Sequence, residues 1–106
     1  MTSLKLIAVV AFLAGITAGY AAERSIRQKG KVFSEAEVTI KKGDSLLFVN
    51  DDSIAHNVLS TSPAHKFNLG LMQPGNATPV TFKSTGELSV ICAIHPTMKM
   101  AVKVVD

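Results

Sequence analysis

The residues best suited to metal chemistry lie close together near the end of the sequence. Cys92, His95 and Met98 supply a thiolate, an imidazole and a thioether within seven residues, in a loop between two predicted strands. Soft sulfur ligands combined with imidazole favour copper, and in other geometries zinc. Structural zinc sites normally take four cysteine or histidine ligands, whereas this chain has one cysteine. The segment therefore predicts a copper site.

His56 is the residue that would complete the ligand set. A blue copper site has two histidines and one cysteine in a trigonal arrangement, with a weakly bound axial methionine, so a second histidine must come from elsewhere in the chain. His56 lies 36 residues before Cys92 and begins a predicted strand. The alternative is that His56 and Cys92 are ordinary core residues. The predicted cofactor is one copper ion, Cu(I) or Cu(II), whose binding would also link two distant parts of the domain.

Short apolar stretches separated by turn residues fill the rest of the chain. Val38 and Ile40 alternate with polar neighbours, and His56–Ser60 is a further short stretch. Ser45–Asn50 is nearly all apolar and is expected to be a strand buried on both faces. Comparable stretches follow at residues 80–82, 88–91 and 100–105, while residues 60–71 could hold one turn of helix. About seven to eight short strands predict an all-β Greek-key sandwich, and an immunoglobulin-like sandwich would give the same pattern.

Residues 1–21 have the layout of a secretory signal peptide. Lys5 is followed by an apolar run over residues 6–14 and by small residues at Gly19 and Ala21, so we expect cleavage after Ala21. One domain, residues 22–106, would remain, without membrane attachment. An uncleaved anchor is the alternative, but the apolar run is short of the about 20 residues that span a bilayer.

The single cysteine is unusual for a small exported domain. The remaining 85 residues would be marginally stable, and such domains are commonly held by disulfides. One cysteine forms no internal disulfide, which leaves intermolecular pairing, a free thiol or a metal. The net charge is only +3, the densest basic pair is Lys41-Lys42, and the chain has no Trp. Nucleic-acid binding is therefore not expected.

Several motifs, in order and spacing, resemble the cupredoxin family of blue copper proteins. They are His56-Asn57-Val58, Phe67-Asn68-Leu69-Gly70, Pro74-Gly75, Phe82, Gly86 and Cys92-x-x-His95-Pro96-x-Met98. The likeness covers roughly residues 25–106 and is strongest to the small amicyanin, pseudoazurin and plastocyanin group, including methylamine-utilisation cupredoxins. It implies a copper-binding Greek-key sandwich that shuttles single electrons in the periplasm.

The resemblance leaves two methionines as candidates for the axial ligand. Met98 lies three residues after His95, as in the amicyanin loop, and Met100 lies five after, as in the plastocyanin and pseudoazurin loops. Both would lie on the same face of an extended strand, but the His-Pro-x-Met order favours Met98. In the resembled family, the residue at the position of Asn57 ties the two ligand loops together and helps to orient the cysteine sulfur.

Three functions are compatible with these residues. The first is a soluble, monomeric electron carrier in which His95 lies near the surface. Redox proteins would dock there transiently. The second is periplasmic copper trafficking or resistance, with His65, Met72 and the two later methionines as extra ligands; otherwise His65 and Met72 are expected to be solvated loop residues. The third is a metal-free adhesion domain, which would make the motifs a coincidence. No acid–base pair or open substrate site indicates an enzyme.

Overall fold

The computed structural model describes residues 21–106, which form nine strands in two sheets. The strands are β1 (Glu23–Lys29), β2 (Val32–Phe33), β3 (Glu37–Lys41), β4 (Ser45–Asn50), β5 (His56–Ser60), β6 (Phe67–Met72), β7 (Ala77–Thr81), β8 (Gly86–Ile91) and β9 (Lys99–Val105). Within residues 21–106 the only helical element is a 3-10 turn at Pro63–His65, and no helix there could cross a membrane. The predicted signal peptide lies, apart from Ala21, outside the described residues.

The two sheets form the predicted sandwich. One sheet has the order β2-β1-β4-β7 and the other the order β3-β9-β8-β5-β6. β1 pairs in parallel with β4, and β3 pairs in parallel with β9, whereas the other pairs are antiparallel. The prediction of an all-β sandwich is confirmed. The structure has nine strands, of which β2 is the shortest with two residues.

The core lies between the sheets and is built by alternation of buried and exposed residues along the strands. In β9, Met100, Val102 and Val104 face inward, each at most 2% exposed. Phe48 of β4 is fully buried, and its ring centroid lies 6.4 Å from the centroids of both Phe33 and Phe67. Because Phe67 belongs to the opposite sheet, Phe48 joins the two layers; burying such a side chain contributes about 1.5–3 kcal/mol.

The inward face of β4 corrects one expectation from the sequence. Its nearly continuous apolar composition suggests burial on both faces, but only Leu46, Phe48 and Asn50 are buried, while Leu47 and Val49 are half-buried. A sheet in a two-layer sandwich has one face packed against its partner and one face toward solvent. The outer apolar side chains of β4 are therefore covered only in part.

Met72 is a second correction, because it was expected in a solvated loop. It ends β6, is 2% exposed, and pairs in register with His56 of β5. β6 was not recognised from the sequence for two reasons. Gly70 adopts a φ of 70°, and a β-bulge interrupts the pairing of β6 with β5. Such irregularity breaks the alternation by which strands are recognised.

Candidate metal centre

Three candidate ligands from two distant segments meet at one end of the sandwich. His56 begins β5, Cys92 follows β8 directly, and His95 lies in the loop before β9. The Nδ1 atoms of the two histidines are 3.2 Å apart, and Cys92 Sγ lies 4.0 Å from Nδ1 of His56 and 3.9 Å from Nδ1 of His95. His56 and Cys92 are fully buried, whereas His95 is half-buried. The three atoms form a triangle of possible ligands.

The size of this triangle fits a trigonal metal site. Metal bonds of about 2.0 Å to imidazole nitrogen and about 2.3 Å to thiolate sulfur, arranged 120° apart, put ligand atoms about 3.5–3.8 Å from one another. The distances between the three ligand atoms lie within a few tenths of an ångström of that range. Two imidazoles and one thiolate are also the donor set of a blue copper site. Both geometry and chemistry therefore fit copper.

The loop between β8 and β9 determines where the methionines lie. The Cys92 amide donates a hydrogen bond to the Met98 carbonyl (3.3 Å), and the Met98 amide donates to the His95 carbonyl (2.9 Å). The register pairs Ile91 with Lys99 and Val90 with Met100. Cys92 consequently lies opposite Met98, on the same face. Met100 lies two residues further along β9, about 6.8 Å away, so Met98 is the methionine positioned as a ligand.

Substitution of the two methionines by glutamine tests the axial assignment. Met98→Gln is expected to change the copper absorption spectrum and the reduction potential, because an amide oxygen replaces the soft thioether. Met100→Gln is expected to leave the spectrum nearly unchanged. It should instead lower stability by about 1–3 kcal/mol, since it buries an amide in the core at a position only 1% exposed. Visible absorption and thermal unfolding measure the two effects, and the opposite ranking of spectral change would make Met100 the axial ligand.

Asn57 contacts both ligand-bearing segments. Its backbone amide donates to Cys92 Sγ (3.3 Å), and its Oδ1 accepts a hydrogen bond from the Ala93 amide (3.1 Å). Its Nδ2 donates to Asn68 Oδ1 (2.9 Å) and to the Gly70 carbonyl (2.8 Å) on β6. With these contacts, Asn57 can tie the two ligand-bearing segments together and orient the Cys92 thiolate. The effect of Asn57 on bound copper stays a prediction.

Two polar residues that the sequence pattern did not indicate lie beside the site: Asp52, in the loop before β5, and Asn50, the last residue of β4. Asp52 Oδ2 accepts a hydrogen bond from Nε2 of His56 at 2.9 Å. This bond, followed by one from the Ser53 amide, lowers the pKa of Asp52 to about 2. Asn50 is fully buried, and its Nδ2 donates to the carbonyls of Ile54 and Met72 at 2.9 Å each. In the sequence these residues look like an ordinary polar turn.

Gln28 supports the site from the opposite sheet. It is fully buried in β1, and its Nε2 donates to the Asn57 carbonyl at 3.2 Å. This bond satisfies Nε2, which would be costly to bury unpaired, whereas the buried Oε1 has no partner among residues 21–106. Gln28 thereby joins β1 to the strand that carries His56. β1 could not be predicted from the sequence, because Ile26 is its only buried apolar residue and the strand shows no clear alternation of apolar and polar residues.

His65 is the one described histidine that does not join the cluster. Its Nε2 donates to the Ser84 carbonyl at 2.7 Å, and its ring lies edge-on to Phe82 with centroids 6.3 Å apart. It is half-buried rather than solvated. Within residues 21–106, the side chains that come close enough together to hold a metal ion are those of His56, Cys92 and His95.

Comparison with known proteins agrees with this site. Residues 21–105 match the family of copper binding proteins described as plastocyanin/azurin. Among solved structures, a purple cupredoxin from Nitrosopumilus maritimus superposes with a TM-score of 0.68 at 24% identity, over 76% of this chain and 98% of that one. A reduced mutant of amicyanin gives a TM-score of 0.73 at 23% identity, over 82% and 87% of the two chains.

A larger protein contains a similar domain. The copper-containing nitrite reductase of Thermus scotoductus SA-01 superposes with a TM-score of 0.74 at 24% identity. The overlap covers 79% of this chain, which spans only 22% of the reductase. At such identities these likenesses establish the fold alone.

The sandwich and its histidine–cysteine–histidine triangle define a small copper protein of the cupredoxin class. Because the plastocyanin/azurin family matches nearly the whole described chain, the protein belongs to that family. Copper is accordingly its cofactor, and His56, Cys92, His95 and Met98 are positioned as the ligands.

Proposed function

We propose that this protein is a soluble single-electron carrier, exported to the periplasm as a monomer after cleavage behind Ala21. The observation that carries the proposal is the unequal burial of the ligands. His56 and Cys92 are fully buried, whereas His95 is half-buried. An electron can therefore pass through the His95 ring while substrates are kept from the metal.

The chain's own residues support rapid electron transfer. Bound copper supplies the one-electron Cu(II)/Cu(I) couple. The ligand loop is held by the backbone hydrogen bonds between Cys92, Met98 and His95, and Asn57 fixes it to β5 and β6. A site held from several sides changes little when its charge changes, so little reorganisation accompanies the transfer.

Exposed apolar side chains near the ligands support docking of transient redox partners. Ile94, 49% exposed, precedes His95, and Ile54, 39% exposed, lies two residues before His56. Leu71, 60% exposed, is the neighbour of Met72, which pairs with His56. These are three of the four large apolar side chains exposed within residues 21–106. An apolar rim suits a small interface that forms and separates quickly.

Copper trafficking is the second candidate, and burial argues against it. A trafficking protein needs soft ligands that an acceptor can reach. Met72, Met98 and Met100 are each at most 2% exposed, and His65 is hydrogen-bonded to the Ser84 carbonyl. We therefore favour electron transfer over copper donation. We also favour it over catalysis, although a nitrite reductase contains a similar domain.

Electron self-exchange between oxidised and reduced protein tests the proposal. We expect reversible blue colour and fast exchange in the wild type. Ile94→Asp should slow the exchange about tenfold, because two copies would then face each other with like charges, and 1.4 kcal/mol of repulsion suffices for that factor. NMR line broadening in mixtures of the two redox states measures the rate.

A matched control separates docking from net charge. Thr39→Asp adds the same charge at an exposed position of β3. Thr39 pairs with Lys103 of β9, and Lys103 lies four residues beyond Lys99, the residue of β9 that is next to the metal centre. The added charge is therefore distant from the metal centre. It should leave the exchange rate within about twofold of the wild type, since a distant surface charge is largely screened. Slow exchange in the wild type, together with rapid loss of Cu(I) to a chelator, would instead support trafficking.

A further inference from the structure

The second ring nitrogen of His56 is held by a carboxylate. Nδ1 of His56 faces Cys92 and His95, while Nε2 lies 2.9 Å from Asp52 Oδ2. The His56 ring is fully buried, so Nε2 has no route to solvent. With its proton on Nε2 and bonded to Asp52, the ring presents the lone pair of Nδ1 to the metal.

Asp52 is itself held in one orientation. Its side chain is only 15% exposed. The Ser53 amide donates to Oδ1 (3.0 Å), and the Lys31 amide donates to Oδ2 (3.3 Å), the same oxygen that accepts His56. The Asp52 amide donates to Asn50 Oδ1 (3.0 Å). The carboxylate thus has little freedom to turn away from the histidine.

The contact with Lys31 comes from an unusual turn. Gly30 and Lys31 connect β1 to β2 and have φ values of 63° and 59°. Two successive left-handed residues fit a two-residue type I′ hairpin turn, in which the second position usually holds glycine. Lys31 is the only described non-glycine residue with positive φ. Strain of this kind persists where surrounding structure requires it, and here the turn aims the Lys31 amide at Asp52.

We propose that Asp52 is a positioning residue for the copper centre: it fixes the tautomer and orientation of His56 and lowers the reduction potential. This inference rests on the proposed redox function. A carboxylate bonded to a ligating imidazole makes the ring a stronger donor, and its negative charge favours Cu(II) over Cu(I). The turn at Gly30-Lys31 holds Asp52 in place for this task.

Asp52→Asn in the full, exported chain tests the effect on the potential. The variant keeps the size of the side chain and removes its charge. We expect the preference for Cu(II) over Cu(I) to fall about tenfold, at the lower end of what loss of such a partner costs. A tenfold change raises a one-electron potential by about 59 mV. Voltammetry of the copper-loaded protein measures this shift.

Asp51→Asn is the matched control, because it removes the same charge one residue away. Asp51 Oδ2 lies 3.8 Å from Arg27 and its side chain is half exposed, so the potential should rise much less. Lys31→Gly is the second control: it keeps the amide and suits the left-handed turn, so it should preserve the wild-type potential. Equal shifts for Asp52→Asn and Asp51→Asn would overturn the proposal and leave the electron-carrier function standing.

The tautomer of His56 provides a readout that needs no copper. In ¹⁵N-labelled metal-free protein we expect His56 to carry its proton on Nε2. Asp52→Ala should produce a mixture of tautomers, because the carboxylate no longer selects one. An unchanged single tautomer in a folded Asp52→Ala protein would overturn the positioning role. Should Asp52→Ala not fold, the potential of Asp52→Asn decides alone.

Discussion

Replacement of Cys92 by alanine is expected to abolish the blue colour of the copper-loaded protein. The colour of such a site comes from charge transfer between thiolate and copper, and Cys92 is the only cysteine in the chain. Loss of a ligand should also weaken copper binding by more than the 10- to 100-fold that loss of an outer partner costs. Visible spectroscopy and competition with a copper chelator measure the two effects.

Val90→Ala is the control for Cys92→Ala. Val90 is fully buried in β8, two residues before Cys92 and on the same face of the strand, but it offers no ligand atom. Its truncation should lower stability while leaving the absorption band in place. A Cys92→Ala protein that kept the wild-type band would refute the assignment of Cys92 as a ligand, and a wild type that stayed colourless with Cu(II) would refute the blue copper site.

Truncation of Phe48 to alanine is expected to have the largest effect on stability. Removing a buried phenylalanine side chain costs about 3–5 kcal/mol. A domain of this size has a total stability of about 4–13 kcal/mol, so the loss amounts to about a quarter of that stability or more in the metal-free variant. At about 4–8 °C per kcal/mol, the midpoint of thermal unfolding should fall by at least about 12 °C. Circular dichroism measures this change.

Copper should restore part of the stability that Phe48→Ala removes. Phe48 joins Phe33 and Phe67 in the core and contributes no ligand, so the site can still form in the folded variant. Free copper at 1,000 times its Kd adds about 4 kcal/mol, which nearly balances the loss. Leu47→Ala, half-buried on the opposite face of β4, is the control and should cost clearly less. Equal losses would mean that Phe48 does not join the layers.

The sequence reveals most of the sandwich, and it fails where strands lack alternation. β3 and β9 alternate regularly and were predicted nearly to their ends. β1 is rich in charge and buries only Ile26 and Gln28. It is a strand because it pairs along its length with β4, a tertiary contact that no local pattern contains. β6 was missed for a related reason, since Gly70 and the bulge between the pairs Asn57–Leu71 and Leu59–Asn68 interrupt its pattern.

The candidate ligands were easier to find than the residues that support them. His56, Cys92 and His95 are chemically distinctive, and Cys92 lies only three residues before His95, so their types and this short spacing suggest copper. The order His-Pro-x-Met favours Met98 over Met100, and the register of β8 and β9 supports that choice, because it places Met98 opposite Cys92 and Met100 opposite Val90. Asp52 resembles part of a solvated turn in the sequence. Its contacts with His56 and with the Lys31 amide depend on the tertiary structure, which no local pattern contains.

The complete burial of Cys92 protects the chain from oxidative damage. In an oxidising compartment an accessible thiol is converted to sulfenic acid or to a mixed disulfide, and further oxidation is irreversible. The Cys92 side chain is 0% exposed, so oxidants and other thiols reach it only when the strand ends open. Covalent dimers and oxidised sulfur should therefore accumulate in proportion to local unfolding, which makes the redox state of this thiol a sensor of the fold's integrity.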